Sequence, residues 1–454
     1  MDTIAAIATP QAAGGISVIR ISGPEALAVG EKCFRNCRGK KLGDMDGYTM
    51  AYGKFYDGTG NFLDDGIASV FRAPHSYTGE DVVEFSCHGG IYVTQLVLEG
   101  VLHAGAVPAQ PGEFTKRAFL AGKMSLTEAE AVMDIIGAAG QRELAFAQGQ
   151  HSGALHKRVS GISDQIVHCL GELAAWADYP EEDIPVVTPE GLLGALEEIQ
   201  SELEKTLCTY EYGRILRSGV SGVIVGKPNV GKSTLFNLLS GCQRSIVTDI
   251  AGTTRDVVEE QIRLGNVTLR LSDTAGLRES QDVIEQMGVE IAQQRLESAD
   301  LILAVFDLTQ PLDKDDIGVL EKLPNKPVIA IGNKADGEME GTLAALQERF
   351  PHCIVMSAKK GEGLAALQQK IEELFYQEAV TPEMGVVSNA RQKQCLEEAL
   401  AQIVLAEKAI ENGELLDGVT VLLEEAASGL LTLVGERVSE AVVNDVFSRF
   451  CVGK

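Results

Sequence analysis

Residues 226–234 read GKPNVGKST. The apolar run VSGVIV precedes them and LFNLL follows, so a strand feeds a glycine-rich turn that opens a helix. GxxxxGK[ST] in that setting is the pattern of a phosphate-binding loop, whose glycines let successive backbone N–H groups turn inward toward phosphate oxygens. The bland alternative is an ordinary Gly-rich connection. In the phosphate reading Asn229, Val230 and Gly231 shape the loop, and Lys232 reaches the β- and γ-phosphates. Ser233 ligates magnesium, and Thr234 adds a donor near the α-phosphate.

Three further stretches turn that reading into a site. DTAG at 273–276 ends the run VTLRLSD, so Asp273 can approach magnesium, Thr274 and Ala275 form the turn, and the Gly276 N–H can meet the γ-phosphate. NKAD at 333–336 ends PVIAIGN. Its Asp336 can accept hydrogens from guanine N1 and the 2-amino group, which adenine does not offer, with Asn333 and Lys334 beside it. SAK, formed by Ser357, Ala358 and Lys359, follows HCIVMSA and places backbone donors at the guanine oxygen. Four elements in chain order, each at the C-terminal end of a strand, predict the ligand crevice of an open parallel sheet that binds GTP.

Outward from this domain, the 454 residues suggest about three domains. Residues 1–118 alternate short β-rich runs (ISVIRI, VVEFS) with Gly/Pro turns. From Ser125, SLTEAEAVMDII has capping-box spacing to Glu128 and puts Leu126, Ala129, Val132, Met133 and Ile136 on one helical face. Helical patterning fills 119–217, broken at DYPEEDIP. Strand–helix alternation fills 218–376, where VSGVIV, VTLRLSD, LILAVFDL, PVIAIGN and HCIVMSA are each apolar enough for a parallel strand buried on both faces, and Leu/Ala-rich helical text fills 377–454. The expected fold is therefore an N-terminal α/β domain, a helical domain split in two, and a P-loop domain with a parallel sheet inserted between the halves.

Charge and composition exclude other classes. Asp and Glu number 65 against 39 Lys and Arg, a net charge of −26, so affinity cannot come from a generally basic surface, although a local basic groove remains open. No run approaches the ~18 apolar residues of a membrane span, and MDTIAAIATPQ lacks a basic signal-peptide region. Nine scattered cysteines, without a CxxC pair, read as free thiols in a reducing cytoplasm. Cys33 and Cys37 would be half a metal site with no second half nearby.

Ras-like GTPases place Gln after DTAG to orient water. Here Leu277 stands there, and neither Arg255 nor Arg278 is marked as an arginine finger. The Asn229 side-chain oxygen can hold a monovalent cation between the β- and γ-phosphates. TDIAGTTRD at 248–256 supplies further oxygens, with Thr254 or Thr253 as the switch threonine on magnesium. Glu279, Asp282 and Glu285 are candidates to hold the attacking water.

GKPNVGKST, IAGTTRD, DTAGLRES and the terminal FCVGK together resemble the MnmE (TrmE) family of tRNA modification GTPases. So do ATPQAAGGISVIRISG, SYTGEDVVEFSCHGG and PGEFTKRAFLAGKMSLTEAEAVMDII, in family order over the whole chain. The resemblance implies a folate-binding-like N-terminal domain that mediates a homodimer. Its folate contacts, for 5-formyl- or 5,10-methylene-tetrahydrofolate, fall on Arg20, Glu84, Lys123 and Lys454. It selects Glu285 as the catalytic glutamate and implies potassium on Asn229 and around Thr248, Ile250 and Thr253, with Ser233 and Thr254 on magnesium. Asp249, Ala251 and Gly252 complete the GTP-binding switch. Cys451 falls near the folate site as a catalytic candidate. The alternatives for it are a packed small residue or a prenylated cysteine, and Lys454 is a poor final residue for the latter.

The implied partners are tRNA and an FAD-dependent MnmG (GidA) subunit in a heterotetramer or larger assembly. No membrane is expected, and the location is cytoplasmic. The implied activity adds an aminomethyl or carboxymethylaminomethyl group to the wobble uridine. A regulatory or ribosome-assembly GTPase, or a stand-alone folate enzyme, would explain fewer of these stretches.

Overall fold

The computed structural model describes residues 1–178, 188–242, 259–272, 295–321, 323–338, 341–376 and 381–454. The switch residues from Thr248 to Thr254, the DTAG turn with Asp273, Thr274, Ala275 and Gly276, the candidates Glu279, Asp282 and Glu285, and most of the acidic turn DYPEEDIP lie outside them.

The chain forms two compact units. One holds Met1–Met133, Val159–Ile184 and Leu416–Lys454; the other holds Asp134–Arg158 and Pro185–Leu415.

In the first unit, seven strands make one sheet: β1 (Ile4–Ile7), β2 (Ile16–Ser22), β3 (Phe34–Asn36), β4 (Thr49–Tyr56), β5 (Phe62–Phe71), β6 (Val82–His88) and β7 (Val107–Pro108), in the order β3-β4-β5-β6-β2-β1-β7. All neighbours are antiparallel except β1 and β7. Alternation along β2 sends Ile19 and Ile21 inward and Arg20 to the other face. The inward residues pack with Phe34, Phe55 and Phe85, and with Val29, Val97 and Val101 of the helices Ala26–Cys33 and Ile91–His103.

The capping box appears as expected. The Ser125 N–H donates to the Glu128 carboxylate at 2.6 Å, and the Glu128 N–H donates to Ser125 Oγ at 3.2 Å. The helix that follows, Leu126–Gly137, buries Leu126, Ala129 and Val132 against Val443, Val446 and Phe447 of the last helix, Glu440–Ser448. Ile136 departs from expectation and is 43% exposed, because this contact ends a turn earlier.

In the second unit, β8 (Val220–Val225), β9 (Glu259–Leu264), β10 (Val267–Ser272), β11 (Leu301–Asp307), β12 (Val328–Asn333) and β13 (Cys353–Val355) order as β13-β12-β11-β8-β10-β9. The five strands read from apolar runs are mutually parallel. β11 is buried along its whole length, as a strand covered on both faces must be. β9, EEQIRL, carries three charges and was not singled out in the sequence. It pairs antiparallel with β10 at the sheet edge, where alternation suffices to bury Ile262 and Leu264. The helices Gln141–His151 and Tyr210–Ser218 join this core through Phe146, Ile215 and Leu216. Pro189–Leu207 lies along Ala390–Glu411. The fold class expected from the sequence, an α/β N-terminal part, a discontinuous helical part and an inserted P-loop domain, is the one found.

Candidate functional site: a nucleotide crevice and an N-terminal charge cluster

β8 ends at Val225 and the helix Lys232–Gly241 begins after Gly231, so the glycine-rich loop hangs between a strand end and a helix N-terminus, where anions are favoured. The backbone conformation explains the residue choice. Asn229 has φ 65° and Gly231 has φ 101°. A Cβ on Gly231 would sit 2.2 Å from Asn333 Nδ2, so only glycine fits there. Lys232 Nζ donates to the carbonyls of Gly226 and Lys227, each at 2.7 Å, which holds the ammonium over the loop. Val230 is fully buried beneath it.

Asn333 ties three of the predicted segments together. Its Nδ2 donates to Val230 O at 2.8 Å, and its Oδ1 accepts from the Ala358 N–H at 2.9 Å. The side chain is 3% exposed, so both ends of the amide brace the crevice from inside. Beside it, Lys334 takes φ 62° and donates to Asp307 at 2.6 Å. Asp336 is exposed and accepts from Ser357 Oγ at 2.8 Å. That hydrogen bond is the main reason its carboxyl lies below the usual range, which keeps it an acceptor. Lys359 is exposed at the same rim. The structure thus brings together the segments of Asn229–Lys232, Asn333–Asp336 and Ser357–Ala358. Ser233 and Thr234 lie in the first turn of the helix after the loop.

Several residues of this region went unnoticed in the sequence. Lys227 donates to Asp313 and Asp316, both at 2.8 Å, and the Asp316 side chain is 3% exposed. Burial works against the Lys227 charge, but the two carboxylates hold its pKa above the ordinary value, and Lys227 in turn lowers Asp313 to about 2. The i,i+3 acidic pair in PLDKDD was the available signal. Glu143, 8% exposed, caps the helix Gln141–His151 through the N–H groups of Ala139 and Gly140 and accepts from Thr268 Oγ1 of β10. This contact could not be read from linear spacing.

In the first unit, Arg20 Nε donates to Glu84 Oε1 at 2.7 Å across the β2–β6 register. Its guanidinium stands 5.4 Å from the Tyr77 ring centroid and 5.5 Å from that of Phe114. Arg20 Nη1 also donates to Gly453 O at 3.4 Å, so the FCVGK tail closes on the same spot. Lys454 has its pKa lowered, first by burial and then by the Arg20 charge. Lys123 donates to Pro74 O at 2.9 Å and to Ser76 O, on the segment that also carries Tyr77. Arg20, Glu84 and Lys454 are therefore assembled in one place, with Lys123 on the adjoining segment. Cys451 is half-buried, and its carbonyl accepts from the Gly112 and Lys454 N–H groups. Tyr77 and Phe114 were not predicted here. Nothing in their local patterns announces that they flank an arginine.

A phosphate-binding loop, a guanine-type NKAD turn and a SAK turn at the ends of parallel strands define a P-loop GTPase, here joined to helical and α/β parts. Family models match both stretches of chain: "GTP-binding protein TrmE N-terminus" over residues 3–123 and "MnmE helical domain" over residues 126–451. The protein is 41% identical over 458 residues to the tRNA modification GTPase MnmE of Carboxydothermus hydrogenoformans, covering 100% of this chain and 99% of that protein. It is 40% identical over 459 residues to that of Bacillus subtilis, covering 100% of both. The chain belongs to the family of MnmE tRNA modification GTPases.

Among solved structures, it is similar to a point variant of Aquifex aeolicus Era bound to GDP and AlF4−, with 33% identity, TM-score 0.29, and 42% of this chain and 66% of that one covered. It is also similar to the G domain of the T. maritima FeoB iron transporter, with 29% identity, TM-score 0.27, and 35% and 99% covered. Among the described residues, no helix is long and apolar enough to cross a membrane.

Proposed function

We propose that this GTPase of tRNA modification couples potassium-stimulated GTP hydrolysis to addition of an aminomethyl or carboxymethylaminomethyl group at C5 of the wobble uridine. The one-carbon unit comes from a reduced folate, and a separate FAD- and NADH-dependent MnmG subunit completes the group. The observation that supports it most is the Asn333 brace, which joins the phosphate loop to the guanine-side turns. The loop conformation fits triphosphate binding: Lys232 is already poised over it, and Ser233 follows directly. Magnesium would be held by Ser233 and Thr254, and supplies charge neutralisation to the β- and γ-phosphate oxygens.

Leu277 occupies the position of the usual water-orienting glutamine and cannot replace it. Glu285 takes that role, holding the attacking water through a second water. Asn229, in its left-handed conformation, would hold potassium with oxygens from Thr248, Ile250 and Thr253. When bound, the ion supplies the positive charge that an arginine finger supplies elsewhere.

The N-terminal cluster fits a folate in its chemistry. Glu84 is an acceptor for pterin N–H groups, while Arg20, Lys123 and Lys454 suit an anionic glutamate tail. Cys451, whose backbone carbonyl accepts from the Lys454 N–H, is the candidate thiol of that site. The chain acts as a cytoplasmic homodimer paired through its N-terminal domain.

Full-length protein should hydrolyse GTP several-fold faster in potassium than in sodium, and Asn229→Ala should erase the difference. Equal rates in both salts would remove the cation from the mechanism. Expression of the chain in a bacterial strain lacking its own homologue should restore wobble-uridine modification. If modification stays absent while GTP is hydrolysed, the switch-type GTPase is the better reading.

A further inference from the structure

The chain has an acidic balance, yet residues 32–41, KCFRNCRGKK, hold five basic residues and no acidic one. The structure folds this stretch into the edge of the N-terminal sheet. β3 is the terminal strand in the sheet order. The Asn36 side chain then curls the chain back, accepting from the Arg38 N–H at 2.8 Å and donating to Lys40 O at 3.0 Å. Arg35, Arg38, Lys40 and Lys41 are all exposed, as is Lys54, which sits directly opposite Arg35 on β4. Among the described residues none of these five forms an ion pair.

Two features separate this edge from a merely solvated set of cations. Arg35 and Lys54 are like charges in a cross-strand pair, which costs stability; Asp65 lies opposite Lys54 on β5 but accepts from the Tyr52 hydroxyl and forms no ion pair with Lys54. Each of the two cations also lies over an aromatic ring: Arg35 4.3 Å from the Tyr56 centroid and Lys54 5.6 Å from that of Phe62, which is itself 56% exposed. Tyr52, 57% exposed, continues the aromatic row along β4. Screening over about 8–10 Å prevents the remote acidic surface from cancelling the local field.

We propose that this edge is an RNA-binding surface, taking the phosphate backbone on the 35–41 turn and an unstacked base on Phe62 or Tyr52. Clustered cations give backbone affinity, and exposed rings beside them give base stacking, the pairing that single-stranded segments of folded RNA require. The exposed rings favour RNA over an anionic lipid surface. The inference rests on the tRNA reading above and locates part of the contact.

The test uses the full-length chain and fluorescently labelled bulk tRNA, with affinity measured between 50 and 200 mM KCl. The triple variant R38E/K40E/K41E should bind at least about ten-fold more weakly at the lowest salt. The slope of log affinity against log salt should fall by about two to three. The neutral triple R38Q/K40Q/K41Q should fall between it and the parent. F62A should weaken binding with the salt slope unchanged, since it removes a stacking surface and no charge. GTP turnover should stay at the parent rate in all three, and a near-parent melting profile reports that their N-terminal unit folds. Parent and charge-reversed protein with equal affinity and slope would overturn the proposal. So would a parent with no tRNA affinity, or a loss seen only on phosphatidylglycerol vesicles. Failure of the tRNA reading itself shows differently: the parent chain would then not restore wobble modification in the deletion strain, whatever the patch does.

Discussion

The two charged sites of this molecule are built in opposite ways. The nucleotide crevice takes its central part from nine consecutive residues, 226–234, and only its guanine side from further along the chain. The N-terminal cluster has no contiguous core. Arg20 meets Glu84 from 64 residues away and Gly453 from 433 away. A loop that wraps phosphate does so with its own backbone, so its conformational demands fall on adjacent residues and leave a motif. A cluster of side chains gathered by a sheet register and a chain terminus leaves none. The lesson is that a lone Arg in a strand says nothing of its partner until the register is known.

The largest expected effect breaks the contiguous site. Lys232→Ala should weaken GTP binding by about 100-fold or more, because charge-assisted hydrogen bonds contribute about 1.5–3 kcal/mol each. Calorimetric titration with a non-hydrolysable GTP analogue measures it, and near-parent affinity would mean the loop does not hold phosphate. Asp336→Asn should cost roughly 10–100-fold in GTP affinity and gain xanthosine triphosphate binding, since the amide reverses one donor–acceptor pair. Competition between the two nucleotides reads this out.

The dispersed site should break more gently. Arg20→Gln should lower affinity for a reduced folate about ten-fold and leave GTP hydrolysis unchanged, which fluorescence titration and a phosphate-release assay can separate. Equal folate binding by parent and variant would leave the cluster a structural ion pair. Asp316→Asn sharpens the contrast, because Lys227 keeps Asp313. Stability should drop by about 1–2 kcal/mol in urea unfolding, with a smaller loss of GTP affinity than for Lys232→Ala.

The smallest effect concerns the His88–Asp64 pair, 2.8 Å apart at the far end of β6. The hydrogen bond to Asp64 raises the His88 pKa above 6.5. Burial pushes Asp64 up, but its bonds to His88 outweigh this and hold it below 3.8. A raised histidine stabilises the fold fully below 6.5 and loses that contribution as pH climbs through its folded value. A lowered aspartate stabilises above 3.8 and loses it as pH falls through its folded value. The pair therefore favours folding between those limits. His88→Gln should flatten a slight decline in melting temperature on the alkaline side of pH 6.5, and an unchanged profile would show that the pair carries no linkage.

How much was legible follows the same division. The strand LILAVFD was plain because a strand buried on both faces must be apolar throughout. The edge strand EEQIRL escaped because an edge needs only alternation, and its charges resemble a loop. Ser125 and Glu128 announced a capping box because both partners lie within one turn. Ile136 was misplaced because the helical period continues beyond the surface it packs on. Asn333 was recognised as part of a guanine motif, yet its work as an internal brace appeared only in the folded chain.

By itself the sequence determined the phosphate loop, the strand order of chemistry along the P-loop domain, and the family. Those features depend on backbone conformation and short-range spacing, which neighbouring residues dictate. Tertiary structure alone decided that Arg20 stands beside Tyr77 and Phe114, that Lys227 is gripped by Asp313 and Asp316, and that Arg35 faces Lys54 across β3 and β4 with each beside an aromatic ring. Strand register and helix packing set those distances, and both are settled by burial of the whole core rather than by any one segment.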